Sequence, residues 1–260
     1  MKISLTIEGV KAYDSILDER EGFAVLSDVT GGLGYPEINV TSTADTEDAG
    51  TLRAAFVTAE ANGGGWINLV TSGTMNYVNN LEIPNNCTID GRGVDWTFAS
   101  DTGRIIGYEG DLSGSKDNWI LLNVKIDCAA SAPGGVALGY GSDRWWLHHI
   151  EFLNGTNDTF YYDNAVADKL VRGTLSYCKW NATTKSMLIA PEYTATPTPI
   201  TYVTAHHCYF TGCTNRMPTT QHSIFHAYNN VNSLWQTSIA SSAQTGSSLL
   251  HENSFFDADT

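Results

Sequence analysis

The sequence predicts an all-β chain wound as a right-handed parallel β-helix and closed at its amino-terminal end by one helix. Three observations predict it. From residue 118 onward a loose unit recurs: NWILLNVKI (118–126), RWWLHHIEF (144–152), GTLSYCKW (173–180), YVTAHHCYF (202–210), FHAYNNVNS (225–233) and LLHENSFF (249–256). If Asn123, His149, Tyr177, His207, Asn229 and Asn253 are equivalent, the units lie 26, 28, 30, 22 and 24 residues apart, the period of a solenoid whose units bury their apolar faces by stacking. The units are rich in Val, Ile, Thr, Tyr, Trp and Phe, which favour strands, and after residue 118 no stretch has helical amphipathic period.

The elements follow in order. The first 35 or so residues are mixed and end in the glycine-rich segment from Asp28 to Gly34. Residues 1–21 read as an extension and 22–260 as one β-helix domain. A helix is expected over about 48–61, where Leu52, Ala55, Phe56 and Ala59 fall at i, i+3, i+4 and i+7 behind acidic residues. Its role is to cover the first coil, which would otherwise expose strand edges. Each later coil of 22–30 residues has room for three short strands and three turns, with ladders of Asn or aromatic side chains expected inside. The chain ends directly after a strand-like unit, so a homo-oligomer, a larger assembly or more chain is expected to cover that end.

A net charge of −14 argues against nucleic acid as partner, and an anionic ligand would need a local cluster of cations. The five cysteines (Cys87, Cys128, Cys178, Cys208, Cys213) have no Cys-x-x-Cys spacing and read as buried apolar thiols rather than a metal site or disulfide scaffold. No run of about 18 apolar residues occurs, so membrane insertion is not expected, and no signal peptide is visible at the start. The histidine doublets His148-His149 and His206-His207 read as one imidazole inside and one outside, because successive strand residues face opposite ways. Of Trp145 and Trp146, the outward ring is a candidate to stack on a sugar.

Several ordered segments resemble the pectate lyase and pectin lyase family. They are GFAVLSDVTGGLG, likened to a glycine-rich strand region, TLRAAF, NNCTIDGRG, RWWLHH, LSYCKWNATTKSMLIA and RMPTTQHSIFHAYNN. The last is the most specific: Arg216, Pro218, His226, Tyr228, Asn229 and Asn230 fall in register with the family's R-x-P-x-x-R-x-G-x-x-H-x-Y-N-N pattern. The resemblance implies β-elimination on a uronic-acid polysaccharide, with Arg216 as the proton-abstracting base and Lys185 on the sugar carboxylate. Gln221 stands where the family has its second arginine, and Trp146 completes the expected substrate-binding set.

The family's calcium site is only partly matched. Glycine at 135 stands near its first acidic position, and Asp158 and Asp163 are the candidate metal ligands in a degraded site. No resident cofactor is therefore expected, with calcium the one candidate. The expected function is a polysaccharide lyase acting on an acidic, pectate- or pectin-like polymer in an extracellular or virion-associated setting. The alternative is a catalytically inactive β-helix that binds carbohydrate or serves as a phage virion or tail component.

Overall fold

The computed structural model describes residues 16–100, 102–106, 116–128, 135–139, 141–163, 170–189, 201–235 and 240–258. Every strand pairing among them is parallel, and from strand Gly65–Leu69 onward the chain visits three sheets in strict rotation. The first sheet has nine strands, from Glu37–Val40 to Ser248–Glu252; the second has eight, from Gly73–Asn76 to Phe255–Ala258; the third has seven, from Leu81–Glu82 to Ser242–Ala243. Parallel neighbours joined through other strands make a coil, and the coil is right-handed, the hand such crossovers almost always take. The predicted β-helix is thus the observed one.

The helix runs Leu52–Ala61, and Leu52, Ala55, Phe56 and Ala59 are its buried face, as the periodicity requires. It starts later than expected because Thr51 is the N-cap: its hydroxyl accepts from Ala54 N and donates to Asp48 O. The helix packs on the first two strands of the first sheet and closes that end of the stack.

Stacking puts like side chains above one another. In the second sheet Phe98, Ile126, Phe152, Trp180, Phe210, Asn232 and Phe256 occupy one register column. The Phe152, Trp180 and Phe210 rings lie nearly parallel there. In the first sheet Trp145 stands beside Gly173, where a Cβ would come within 2.0 Å of the indole; the close approach requires glycine. All five cysteines are buried and free, and burial pushes the Cys128 thiol up to about 12.

The repeat found in the sequence is a corner of the coil. Asn123, His149, Tyr177, His207, Asn229 and Asn253 all have φ between 48° and 55°, left-handed backbone that turns the chain from the first sheet into the second. The ladder they form is at the outer corner and not inside: His149 is exposed and Tyr177 is 40% exposed. A left-handed residue breaks strand alternation, so its side chain leaves the interior.

The amino-terminal segment is a strap across the outer face of the first sheet. The short helix Phe23–Leu26 replaces the strand expected in the glycine-rich region. Gly32 N donates to Thr88 Oγ1, Thr30 N and Gly31 N to Asn118 Oδ1, Ala24 N to Thr174 Oγ1 and Phe23 N to Thr204 Oγ1. Ile16 and Leu17 are buried with Ala24, Ile120, Leu122 and Trp146 in a second apolar cluster. The described part of the presumed extension, residues 16–21, therefore belongs to the same packed body.

Candidate active site

The third sheet gathers charged residues that the sequence spreads over nearly sixty positions. Asp158 opens strand Asp158–Asp163 and is the register partner of Lys185, which opens strand Lys185–Ile189. Lys185 bridges in turn to Asn215 on the next coil. Arg216 follows at φ 62°, and the pairing slips by one residue between Lys185–Asn215 and Leu188–Thr219. This is a bulge, the device that re-aims a side chain at a sheet margin. A non-glycine residue held there costs on the order of 1–3 kcal/mol, a type of strain that collects at functional sites.

Arg216 Nη1 lies 2.5 Å from Asp158 Oδ2, with the two side chains 27% and 11% exposed. The pair spans two coils, because Lys185 occupies the rung between them. Lys185 reaches only the amide of Asn157, with Nζ 3.4 Å from Oδ1, and has no carboxylate partner among the described residues. Asp158 Oδ1 is buried without a hydrogen-bond partner. Tyr161 sits between the buried Phe160 and Tyr162, so alternation turns it to the outer face of this sheet, beside Leu188 of the next coil. It is the aromatic that the sequence reading missed, although the triplet Phe160-Tyr161-Tyr162 carried the signal.

The other expected site residues fare differently. Gln221 lies beyond strand Thr219–Thr220, and its Nε2 donates to Gln244 Oε1 of the following coil, so its amide is engaged within the stack. Trp146 does face outward, but it is 0% exposed beneath the strap, and its indole N–H donates to Ser176 Oγ. Its expected role on a sugar is therefore corrected: the outer face of this sheet is already covered. Asp158 and Asp163 stand at opposite ends of a six-residue strand, roughly 16 Å apart at strand rise, and are not a common ligand pair; the Asp163 side chain lies outside the described residues. An acidic side chain at Gly135 would meet Cys128 Sγ within 2.6 Å of its Cβ. Calcium takes six to eight oxygens, and among the described residues no three His, Cys, Asp or Glu side chains are grouped to hold a metal. The described residues do not fit the ion.

The histidine doublets also depart from expectation. His148 and His206 face outward beneath the strap, each 0% exposed. The left-handed turn at His149 and His207 brings each doublet together instead of dividing it, and the Nδ1 atoms of His206 and His207 lie 3.0 Å apart. Burial holds both covered imidazoles neutral, His148 down to about 3 and His206 to about 4. Glu19 and Glu21 of the strap sit 3.4 and 3.9 Å from them, and Tyr228 Oη donates to Glu21.

Comparison with known proteins decides the family. The family model described as pectate lyase matches residues 78–260, well over half of the chain. The chain belongs to the pectate lyase family. Among solved structures, the major allergen from cedar pollen, Jun a 1, superposes with a TM-score of 0.70 at 19% identity, over 93% of this chain and 73% of that one. At that identity the likeness concerns the fold. No curated protein sequence matches it. In this pectate lyase family member the matched segment contains all three sheet rungs that carry Asp158, Lys185 and Arg216.

Proposed function

We propose that the chain is a lyase that cleaves a uronic-acid polysaccharide by β-elimination at the cations of the third sheet. One observation carries the reading: parallel stacking places Lys185 and Arg216 on adjacent rungs, at one end of one sheet. Elimination removes the proton on the carbon next to the sugar carboxylate, and negative charge then builds on that carboxylate. Fixed cations beside it lower the barrier because they need no reorganisation as the charge develops. Lys185 and Arg216 supply such cations, Tyr161 offers a ring for the sugar face, and the described residues supply no calcium cage. On this reading the reaction does not rely on calcium held by the described residues. Such polymers are met outside cells, consistent with an extracellular or virion-borne setting.

The test is ultraviolet absorbance of the unsaturated product, with polygalacturonate, methylated pectin and alginate as substrates. Turnover is expected on at least one, within about twofold of its value after chelation, because too few oxygen ligands are at hand. Arg216→Ala is expected to lower kcat/KM by about 10²–10³, as for loss of one preorganised charge-stabilising donor.

A second reading is favoured by Gln221 and by the Arg216–Asp158 pair, which together remove much of the positive charge expected of the site. On that reading the β-helix binds carbohydrate without cleaving it. Saturable binding of any of the three polymers with no unsaturated product would establish it.

A further inference from the structure

Resting on the uronan reading, we infer that the cleft beside Arg144, where the third sheet leads into the first, is a second binding site for the polymer. It takes one uronic-acid unit, whose carboxylate sits on the Arg144 guanidinium. Register puts Asn86, Asn118 and Arg144 in one column, each just ahead of a first-sheet strand (Cys87–Asp90, Trp119–Leu122 and Trp145–His148). All three hold left-handed backbone, with φ of 50°, 58° and 57°. Asn visits that conformation readily, whereas a long side chain is strained there. On the first two rungs the amides stitch the corner together. Asn118 Nδ2 donates to Asn86 Oδ1 at 2.9 Å, and Asn118 Oδ1 accepts from Thr30 N and Gly31 N. Arg144 does no stitching: it is half-buried, and its side chain has no hydrogen bond or ion pair among the described residues. Backbone strain that holds an unengaged cation in a cleft points to a ligand contact.

The cleft has a volume of about 520 Å³ and is lined by Glu60, Gly63, Asn85, Asn86, Asp117 and Arg144, a size suited to a small ligand. Its other charges are already matched. Lys116 Nζ lies 2.9 Å from Glu60 Oε1, and Arg172 Nη2 lies 2.5 Å from Asp143 Oδ2. Asp117 Oδ1 accepts from Asp143 N at 2.8 Å, and its field reaches Arg172. Three carboxylates (Glu60, Asp117, Asp143) thus face three cations (Lys116, Arg144, Arg172), so this corner is neutral in a chain of net charge −14. Arg144 is the cation left to meet an incoming anion. A guanidinium grips a carboxylate through two parallel N–H···O bonds, and amide and carboxylate side chains around it suit the hydroxyls of the same sugar. Lys185 opens its third-sheet strand, whereas this cleft follows the ends of the third-sheet strands. A polymer that spans both places is retained by one while the other works.

The probe is methyl α-galacturonoside, which has no glycosidic bond at O4 and is therefore not consumed, beside its neutral methyl ester. Binding is followed by NMR in a chain carrying Lys185→Ala and Arg216→Ala, which silences the third-sheet cations, with and without Arg144→Asn. With Arg144 present the acid is expected to bind about tenfold or more tightly than the ester, the scale of a charge-assisted pair. Arg144→Asn should erase that preference. Placed alone in the wild-type chain, Arg144→Asn should raise the melting temperature by about 2–4 °C, because the strained rung becomes asparagine; an arginine that merely held the corner would lower it. On the best uronan polymer the same single variant is expected to raise KM about fivefold or more with kcat unchanged. A preference for the acid that survives Arg144→Asn overturns the proposal, as does an unchanged KM or a fall in melting temperature. A wild-type chain inactive on every uronan, in which Arg144 still selects the acid, ends the lyase reading alone and leaves this site standing.

Discussion

Between neutrality and about pH 4.5 the folded chain is expected to lose about 3–5 kcal/mol of stability, through two imidazoles that its burial keeps neutral. His148 and His206 lie at 0% exposure, and burial lowers them to about 3 and about 4. Above the ordinary histidine range neither state binds the proton, and stability does not change with pH on their account. Below it the unfolded chain is protonated first and the folded chain resists, so stability falls as pH falls toward the folded values. Around His148 stand Glu19, Arg92, His149 and His206; around His206 stand Glu21, His207 and His226. Glu21 opposes the effect of burial at His206. Urea unfolding across this interval should show the slope, and His148→Gln should reduce it by about half. A flat profile in the wild-type chain would mean that these imidazoles are hydrated and that the strap does not seal them.

Replacing Trp180 by alanine is expected to cost about 3–5 kcal/mol, the range for emptying a buried aromatic site. The ring is 0% exposed and lies 4.8 Å from Phe152 and 4.4 Å from Phe210, tilted by 16° and 10°. Removing it opens a void between two flat neighbours that stacking holds in register, so collapse is limited. Trp180→Phe should cost no more than about 1.5 kcal/mol, because it keeps the stack and removes a buried indole N–H that has no acceptor. The pair of variants separates packing from polarity. Equal losses in the two would show that indole volume, rather than the column, is what matters.

The fold was legible because its signal is local and repeated. The six equivalent positions of the repeat all hold left-handed residues at the corner between the first and second sheets, and their chemistry differs (Asn, His, Tyr) because the conformation, not the side chain, recurs. Among residues with a side chain Asn tolerates that conformation best, which is why the ladder is visible in the sequence. The doublets depart from expectation for the same reason: His149 and His207 are corner residues rather than strand residues, and one positive φ reverses the rule of alternation. Trp146 was misread for another reason. Alternation did turn it outward, but what covers it, Ile16, Leu17 and Ala24, lies more than a hundred residues away in sequence. At the site, Lys185 and Arg216 could be singled out from their flanking motifs. The partner of Arg216 could not, since Asp158 read as a metal ligand until stacking showed which rung it shares.

A pile of units that touch only their neighbours is free to fray one at a time from either end. The strap removes that freedom. It grips or covers six consecutive strands of the first sheet, from Thr88 through Asn118, Trp146, Thr174 and Thr204 to Tyr228. Like a bolt through washers, it ties the opening of any one to the others, so the adjacent rungs that carry Lys185 and Arg216 are steadied by a segment that lies on another sheet.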